Sequence, residues 1–342
     1  MNEPQLCTHE NPRHRRFSAV NSPQSIASIS FSVIIPLYNK AAFVTRSIHS
    51  VLGQSHRHFE CIIIDDGSTD DSLAVARSFA DPRIKIISKA NAGVSSARNA
   101  GLAIAQFPFV AFLDADDWWD LDYLKQMTGL ITRFPCNNLY FSSHFAVYPD
   151  GRSELRQALR WAGPGESASF NIFEYFRLFG AYNWPLHTSC SVARTEAALR
   201  AGGFDERISL FEDYDFFSRL AAASDFAYLN LPLTYYNCDL PANLRLSGSL
   251  PPIRKNWVCY MLNGELARSP NREASCFIHN FAVILLLQYR KVGMDTKLVH
   301  EISSRLKFSL LSPASIARHI CPVALIPLIQ QVRSLVMHTR TR

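Results

Sequence analysis

Two carboxylates two positions apart, Asp114 and Asp116, stand directly behind an apolar run at Phe107 to Leu113, with Asp117 next in line. That spacing lets both present oxygens to one hard divalent ion, and Mg²⁺ or Mn²⁺ keeps coordination positions that phosphate oxygens fill. A solvated turn ahead of a helix starting at Asp120 is the plainer account of the same residues. A second acidic run, Asp65-Asp66-Gly67-Ser68-Thr69-Asp70, follows another apolar stretch, and Pro36-Leu37-Tyr38-Asn39 follows a third. Acidic groups on neighbouring loops repel one another unless a cation or a hydrogen-bonding ligand sits between them. Asp66 can accept from a base N–H or a ribose hydroxyl, although Asp, Gly and Ser also make ordinary turns. Tyr38 offers a flat face to a nucleobase, or simply packs.

These residues need elements that bring them to one edge. Phe31 to Ile35, Phe59 to Ile64, Arg83 to Ser88 and Phe107 to Leu113 read as strands. Between them, Ala41 to Gln54 repeats apolar residues at helical spacing, Asp70 to Ala80 is a short helix with Asp70 placed to cap it, and Gly93 to Gln106 is a third helix. Largely apolar strands separated by helices indicate a parallel sheet covered on both faces. Ligands of such sheets collect at the carboxyl ends of the strands, where the acids lie. Further on, a helix is expected at Asp120 to Phe134, a strand at Leu139 to Val147 and a variable loop at Tyr148 to Ser169. Asn171 to Phe179 reads as helix, Thr188 to Ala193 as extended and Glu212 to Ser224 as helix. From about Asn256, apolar-periodic segments suggest a helical C-terminal region.

Composition narrows the class. The 342 residues are 48% hydrophobic and 19% charged, with 14 Gly and 18 Pro, which excludes disorder, collagen-like repeats and a charged coiled coil. Eight scattered cysteines form no Cys-x-x-Cys pair, arguing against a disulfide scaffold or structural zinc and for reduced thiols in a cytosol. The net charge of +6 is uneven: from Arg290 onward the chain carries +7, and everything before it −1. No stripe of basic residues and aromatics marks a nucleic-acid face. The first thirty residues read as a loose leader without a secretory apolar run. Ala274 to Tyr289 and Ile320 to Val332 fall short of the roughly 20 apolar residues of a spanning helix, so no transmembrane segment is expected.

The segments SVIIPLYN, CIIIDDGSTDDS, NAGVSSARNAGL and FVAFLDADDWW, in this order between Ser32 and Trp119, resemble the nucleotide-sugar domain of glycosyltransferase family 2. The resemblance is dense over about 90 residues and continues weakly to about Ser247. It implies a GT-A-type, Rossmann-like, mostly parallel sheet flanked by helices, and an inverting, metal-dependent transfer from a nucleoside-diphosphate sugar. It divides the chain into a leader (1–30), a catalytic domain (31–250, with a nucleotide-sugar half to 117 and an acceptor half beyond) and a basic helical region (251–342).

Carried over residue by residue, the resemblance has Pro36, Tyr38 and Asn39 lining the base pocket and Asp66 binding the base, often uracil. Arg98 faces the nucleotide, where a guanidinium pairs with phosphate; a helix-surface arginine is the plainer account. Asp114 binds ribose or metal, and Asp116 is the principal ligand of Mn²⁺ or Mg²⁺. An inverting displacement needs a base for the acceptor hydroxyl. The stretch Gly202-Gly203-Phe204-Asp205-Glu206, followed by Glu212-Asp213-Tyr214-Asp215, resembles the acceptor-side motif and makes Asp213 the base, with Glu212 as fallback and Asp215 facing away or supporting the helix start. The acidity suited to any helix N-terminus is the alternative. The family's diphosphate-binding histidine loop is absent after Tyr235-Tyr236-Asn237-Cys238-Asp239, leaving Arg245 as its cationic substitute. Trp118, Trp119, Trp184 and His187 are acceptor-side candidates, although tryptophans are routine core residues.

A nucleotidyltransferase would want a Gly-rich loop after the first strand, and Pro36 to Lys40 has no glycine. A receiver-type signalling domain would carry its acidic pair after the first strand, not the second. A degenerate sugar-binding relative sits poorly with the retained acids. The expected partners are a nucleotide-sugar donor and a glycan or lipid-linked acceptor, in surface polysaccharide assembly. The basic, apolar tail is a candidate for peripheral contact with an anionic inner membrane leaflet; a basic subdomain packed on the core is the alternative. The expected location is cytoplasmic.

Overall fold

A computed structural model describes residues 29–158, 163–171, 186–209, 211–239 and 279. Expectations for the leader up to residue 28, the helix at 171–179 beyond its first residue, Trp184, Arg245 and the region from 251 on, His279 apart, fall outside them.

The first half alternates strand and helix: β1 (Phe31–Leu37), α1 (Val44–Leu52), β2 (Phe59–Asp65), α2 (Ser72–Arg77), β3 (Ile84–Ser88), α3 (Val94–Ala103) and β4 (Phe109–Phe112). β1, β2 and β4 are buried along their whole length, as their continuous apolar sequences require of central strands covered on both faces. β1 pairs in parallel with β2 and β4, and β2 with β3. α1 turns Val44, Ile48 and Val51 into the core, the i, i+4, i+7 stripe of an amphipathic helix. Asp70 holds the start of α2 by accepting from the Ser72 amide at 2.9 Å.

The second half comprises β5 (Trp118–Trp119), α4 (Tyr123–Arg133), β6 (Leu139–Val147), β7 (Ser153–Arg156), β8 (Ser167–Phe170), a 3₁₀ turn at Thr188–Cys190, β9 (Ser191–Arg194), α5 (Thr195–Arg200), α6 (Glu212–Ala223) and β10 (Phe226–Asn237). The sheet order is β3-β2-β1-β4-β9-β6-β10-β5, with β7 on β6 and β8 on β10. The parallel arrangement holds through β4. β9 then runs antiparallel between β4 and β6, and β10 returns parallel to β6. Pro232 lacks an amide hydrogen, and the β10–β6 register shifts on either side of it.

Three local expectations are corrected. The stretch at 148–169, expected as loop, contributes β7 and β8, short polar strands formed by pairing with β6 and β10. The helix expected from Asp120 starts at Tyr123, because Trp118 and Trp119 pair with Tyr235 and Thr234. The first residues of the expected 188–193 strand coil into the 3₁₀ turn. Cys136 is disulfide-bonded, against the reading of all cysteines as reduced. Cys61 and Cys190 are buried thiols, each pushed up to about 12 by burial.

Two glycines fix α3 in place. A Cβ on Gly101 would lie 2.6 Å from the Ile34 side chain, so α3 sits directly on β1. Gly203 has φ +66°, and a Cβ there would lie 2.4 Å from Asn99 Oδ1. That oxygen accepts from the Phe204 amide at 2.8 Å, and Asn99 Nδ2 donates to the Phe204 carbonyl at 2.9 Å. Gly203→Ala is therefore expected to lower stability by about 2–3 kcal/mol, strain and clash together. Gly202→Ala, at φ +80° in open space, should lower it by only about 1 kcal/mol. Equal losses in urea denaturation would show that the Asn99 contact contributes nothing.

Candidate functional site

The parallel register places the ends of β1, β2 and β4 side by side. Leu37 is opposite Asp65, and the Leu113 amide donates to the Ile34 carbonyl as the chain leaves β4. The three loops of the sequence analysis therefore share one edge. Tyr38 is 45% exposed there, so its ring is open to a ligand. Pro36 lies within β1 opposite Ile64. Asn39 adopts φ +50°, and its side-chain oxygen accepts from the Thr69 amide at 2.8 Å, clamping the loop after β1 to the loop after β2.

Asp66 is buried. It accepts from Lys89 Nζ at 2.6 Å and from the amides of Ala92 and Gly93, the latter at 2.8 Å. Its carboxylate thus anchors the entry to α3, where the amide dipoles favour negative charge.

Arg98, on the buried face of α3, has both terminal nitrogens engaged. Nη1 donates to Glu212 Oε1 and Nη2 to Asp114 Oδ1, each at 2.8 Å. Burial alone would lower its pKa, but the two carboxylates hold it above the ordinary value. The same contact, with Lys40 adding, holds Asp114 below the usual carboxylate range, against the desolvation that its partial burial brings. Here the guanidinium is a strut between the loop after β4 and the start of α6, not a side chain free to meet phosphate. Breaking a buried pair of this kind costs about 3–5 kcal/mol.

Asp116 and Asp117 lie in the opposite condition. Burial and repulsion from Asp114 raise Asp116, although Lys40 Nζ, 2.7 Å from Oδ2, works against the shift. Asp117 is fully buried and raised well above the ordinary range by burial and by Asp116 and Asp114. Ser189 Oγ donates to its Oδ2 at 2.6 Å and the Asn237 amide to its Oδ1 at 2.9 Å. Burial pushes His187 down to about 4, so the imidazole is neutral, and Nδ1 stands 3.7 Å from Asp117 Oδ2. Asp114, Asp117 and His187 offer ligand atoms within 4.8 Å of one another. Carboxylate oxygens with one imidazole suit Mg²⁺ or Mn²⁺, and the raised carboxylates are negative charge without a full counterion. The residues present therefore fit a divalent cation. Sequence reasoning placed Asp114 and Asp116 in that role; it passed over Asp117 and Lys40, and set His187 on the acceptor side.

Across from this loop, Asp213 sits in the first turn of α6, partly exposed. Thr188 Oγ1 donates to its Oδ2 at 3.0 Å. Burial, with the neighbouring Glu212 adding, pushes it up to about 7, against the pull of Arg98. Glu212 is buried and committed to Arg98. Asp215 pairs with Arg219 at 2.6 Å, and Arg219 also donates to the Gly203 carbonyl, so it supports the turn before α6.

Trp118 carries the Arg46 guanidinium 3.4 Å from its ring centroid and lies parallel to Tyr235 at 5.2 Å. The ring is thus engaged by two protein neighbours in this structure. Trp119 is a core residue whose Nε1 donates to the Ser189 carbonyl at 2.7 Å. A cavity of about 470 Å³ lined by Asn99, Gly202, Phe204 and Arg219 lies apart from the acids: none of Asp114, Asp116, Asp117 and Asp213 lines it. Among the described residues, no helix is long and apolar enough to cross a membrane.

A parallel first half joined through an antiparallel strand to a second half, with acids at the shared edge, is a GT-A-type fold. The family model for glycosyl transferase family 2 matches residues 32–198, and this domain belongs to glycosyltransferase family 2. The chain is 30% identical over 203 residues to the chondroitin synthase of Pasteurella multocida (strain Pm70), covering 58% of this chain and 20% of that one. It is 33% identical over 195 residues to the amylovoran biosynthesis glycosyltransferase AmsB of Erwinia amylovora, covering 55% and 62%. The chain thus spans less than two thirds of either relative. Among solved structures, S. aureus TarS 1–349 in complex with UDP-GlcNAc superposes with a TM-score of 0.64 at 17% identity, covering 82% of this chain and 83% of that one.

The raised Asp213 has a consequence for stability. A carboxyl whose pKa is about 7 when folded and near 4 when unfolded contributes stability at pH 4 and below that is lost as pH rises toward 7. Asp213→Asn removes this dependence. The variant is expected to be more stable than the parent above pH 7 by an amount on the order of a few kcal/mol, the advantage shrinking toward pH 4. Denaturation at pH 4.5, 6 and 8 in metal-free buffer checks it; a constant difference would contradict the shift.

Proposed function

We propose that the domain transfers a hexosyl or N-acetylhexosaminyl group from a nucleoside-diphosphate sugar, a UDP-sugar in the first instance, to a hydroxyl of a glycan or lipid-linked acceptor, with inversion, in surface polysaccharide assembly. The observation that carries this reading is the pairing of an acid loop suited to a divalent cation with a partly exposed carboxylate of pKa about 7, tied to that loop through Thr188 and Ser189. The relatives' names support polysaccharide synthesis, and the TarS complex supports a UDP-sugar.

Asp114 and Asp116 would hold Mn²⁺ or Mg²⁺, with Asp117 and His187 within reach. When bound, the ion neutralises the charge developing on the departing diphosphate. Tyr38 and Asp66 stand where the base would be received. Asp213 accepts the proton of the acceptor hydroxyl as its oxygen bonds to the anomeric carbon; the bond to the diphosphate breaks, and the leaving nucleotide takes the electron pair. A base with a pKa near the working pH suits this step, because it is ionised often enough to act and still basic enough to accept. In this reading residues 31–117 form the donor half and 118–250 the acceptor half.

The test is a panel of UDP-, GDP- and dTDP-sugars with Mn²⁺, Mg²⁺ or EDTA. One donor is expected to turn over, with activity abolished by EDTA. Asp213→Asn should lower kcat at least ~100-fold while keeping nucleotide binding, and Asp116→Ala should weaken metal-dependent binding itself. With the parent protein, kcat/KM should rise with pH through about 7 as Asp213 loses its proton. Failure to bind or turn over any nucleotide sugar would overturn the reading.

A further inference from the structure

The turn His187–Cys190 touches both sides of the site. His187 caps it, with Nδ1 accepting from the Ser189 amide at 3.2 Å, and the Cys190 amide donates to the His187 carbonyl at 3.1 Å. Ser189 Oγ donates to Asp117 and accepts from the Asp114 amide at 3.1 Å, while its carbonyl accepts from Trp119 Nε1 and Thr234 Oγ1. Ser191 Oγ closes the far end on the Thr188 carbonyl at 2.6 Å. A turn tied at so many points has little freedom, and from it a single hydroxyl, Thr188 Oγ1, reaches Asp213. Thr188 is 2% exposed, and its branched Cβ restricts χ1. Among the described residues, the other oxygen of Asp213 accepts a local bond, from the Tyr214 amide at 2.9 Å.

We infer that Thr188 is a positioning residue for the catalytic carboxylate: it sets the orientation of Asp213 and, through Ser189, fixes the distance from that base to the acid loop. The inference rests on the proposed role of Asp213. Holding an acceptor's base at a set distance from the donor site raises rate by pre-organisation without adding donor affinity, so the effect belongs in kcat.

The experiment compares Thr188→Val, Thr188→Ala and Thr188→Ser in the full chain. The readouts are UDP release from UDP-N-acetylglucosamine, or from whichever donor of the panel turns over, and the affinity for UDP with Mn²⁺. Thr188→Val is nearly isosteric and lacks the hydroxyl; it should lower kcat about 10- to 100-fold with donor KM and UDP affinity unchanged within about twofold. Thr188→Ser should recover most of the loss. Thr188→Ala replaces Thr188→Val if circular dichroism shows the latter misfolded. Added to Asp213→Asn, either hydroxyl-less change should cost nothing further, because the group it orients is gone. Wild-type kcat in Thr188→Val or Thr188→Ala, a loss confined to donor KM, or Thr188→Ser as poor as the hydroxyl-less variants would each overturn the inference. An Asp213→Asn protein as active as the parent would instead overturn the role of Asp213, so the two failures are distinguishable.

Discussion

The buried guanidinium of Arg98, with a carboxylate 2.8 Å away on each side, holds the two halves of the site together. Asp114 comes from the loop after β4 and Glu212 from the first turn of α6, 114 positions from the arginine. Arg98 and Glu212 are buried and Asp114 is partly exposed, and removing the guanidinium would leave two carboxylates facing one another without their counterion. The strut is rigid because its helix is rigid: Gly101 lets α3 lie on β1, and Asn99, the residue after Arg98, grips the backbone of Phe204. The separation between the acids after β4 and Asp213 therefore follows from how α3 packs.

Charge sets the second constraint. Asp114, Asp116 and Asp117 crowd one loop, and their environments push them apart: Asp114 down beside Arg98, Asp116 and Asp117 up through burial and mutual repulsion. Lys40 offsets part of the charge at Asp116, and Ser189 and the Asn237 amide stabilise Asp117 through dipoles alone. Such an arrangement is stable enough to fold and remains short of positive charge, the condition under which a cation binds strongly.

The parts of the fold legible in sequence were those whose stability is local or symmetric. β1, β2 and β4 are buried on both faces and read as unbroken apolar runs, and Leu139–Val147 forms a strand with the bounds its pattern gave. β5, β7 and β8 are too short or too polar to announce themselves; they exist because partners stand ready to pair. The acids were legible because a parallel sheet must deliver strand ends to one edge. The expectation for Arg98, nucleotide-facing or on the helix surface, did not foresee its burial, yet a signal existed: it shares a helical face with Gly101 and Leu102, three and four residues on, and that face is the buried one. The turn at 187–190 gave no signal. Thr and Ser are commonplace, and their partners Asp213 and Asp117 lie 25 and 72 positions away.

Strain marks the same place. Among the described residues, Asn39 and Phe211 are the non-glycine positions with positive φ, at +50° and +66°. Asn tolerates the left-handed region; Phe does not, and its conformation costs about 1–2 kcal/mol. Phe211 immediately precedes Glu212 and Asp213, so the distorted residue sets the angle at which α6 begins. That angle sends Glu212 inward to Arg98 and leaves Asp213, one position on, facing Thr188 with part of its surface open. The amide dipoles of a helix N-terminus and the nearby guanidinium both favour an ionised Asp213. Burial and the negative Glu212 outweigh them and bring the group up to about 7. The carboxylate is thus balanced near neutrality by opposed influences, the state a general base requires and one that folding alone would not select.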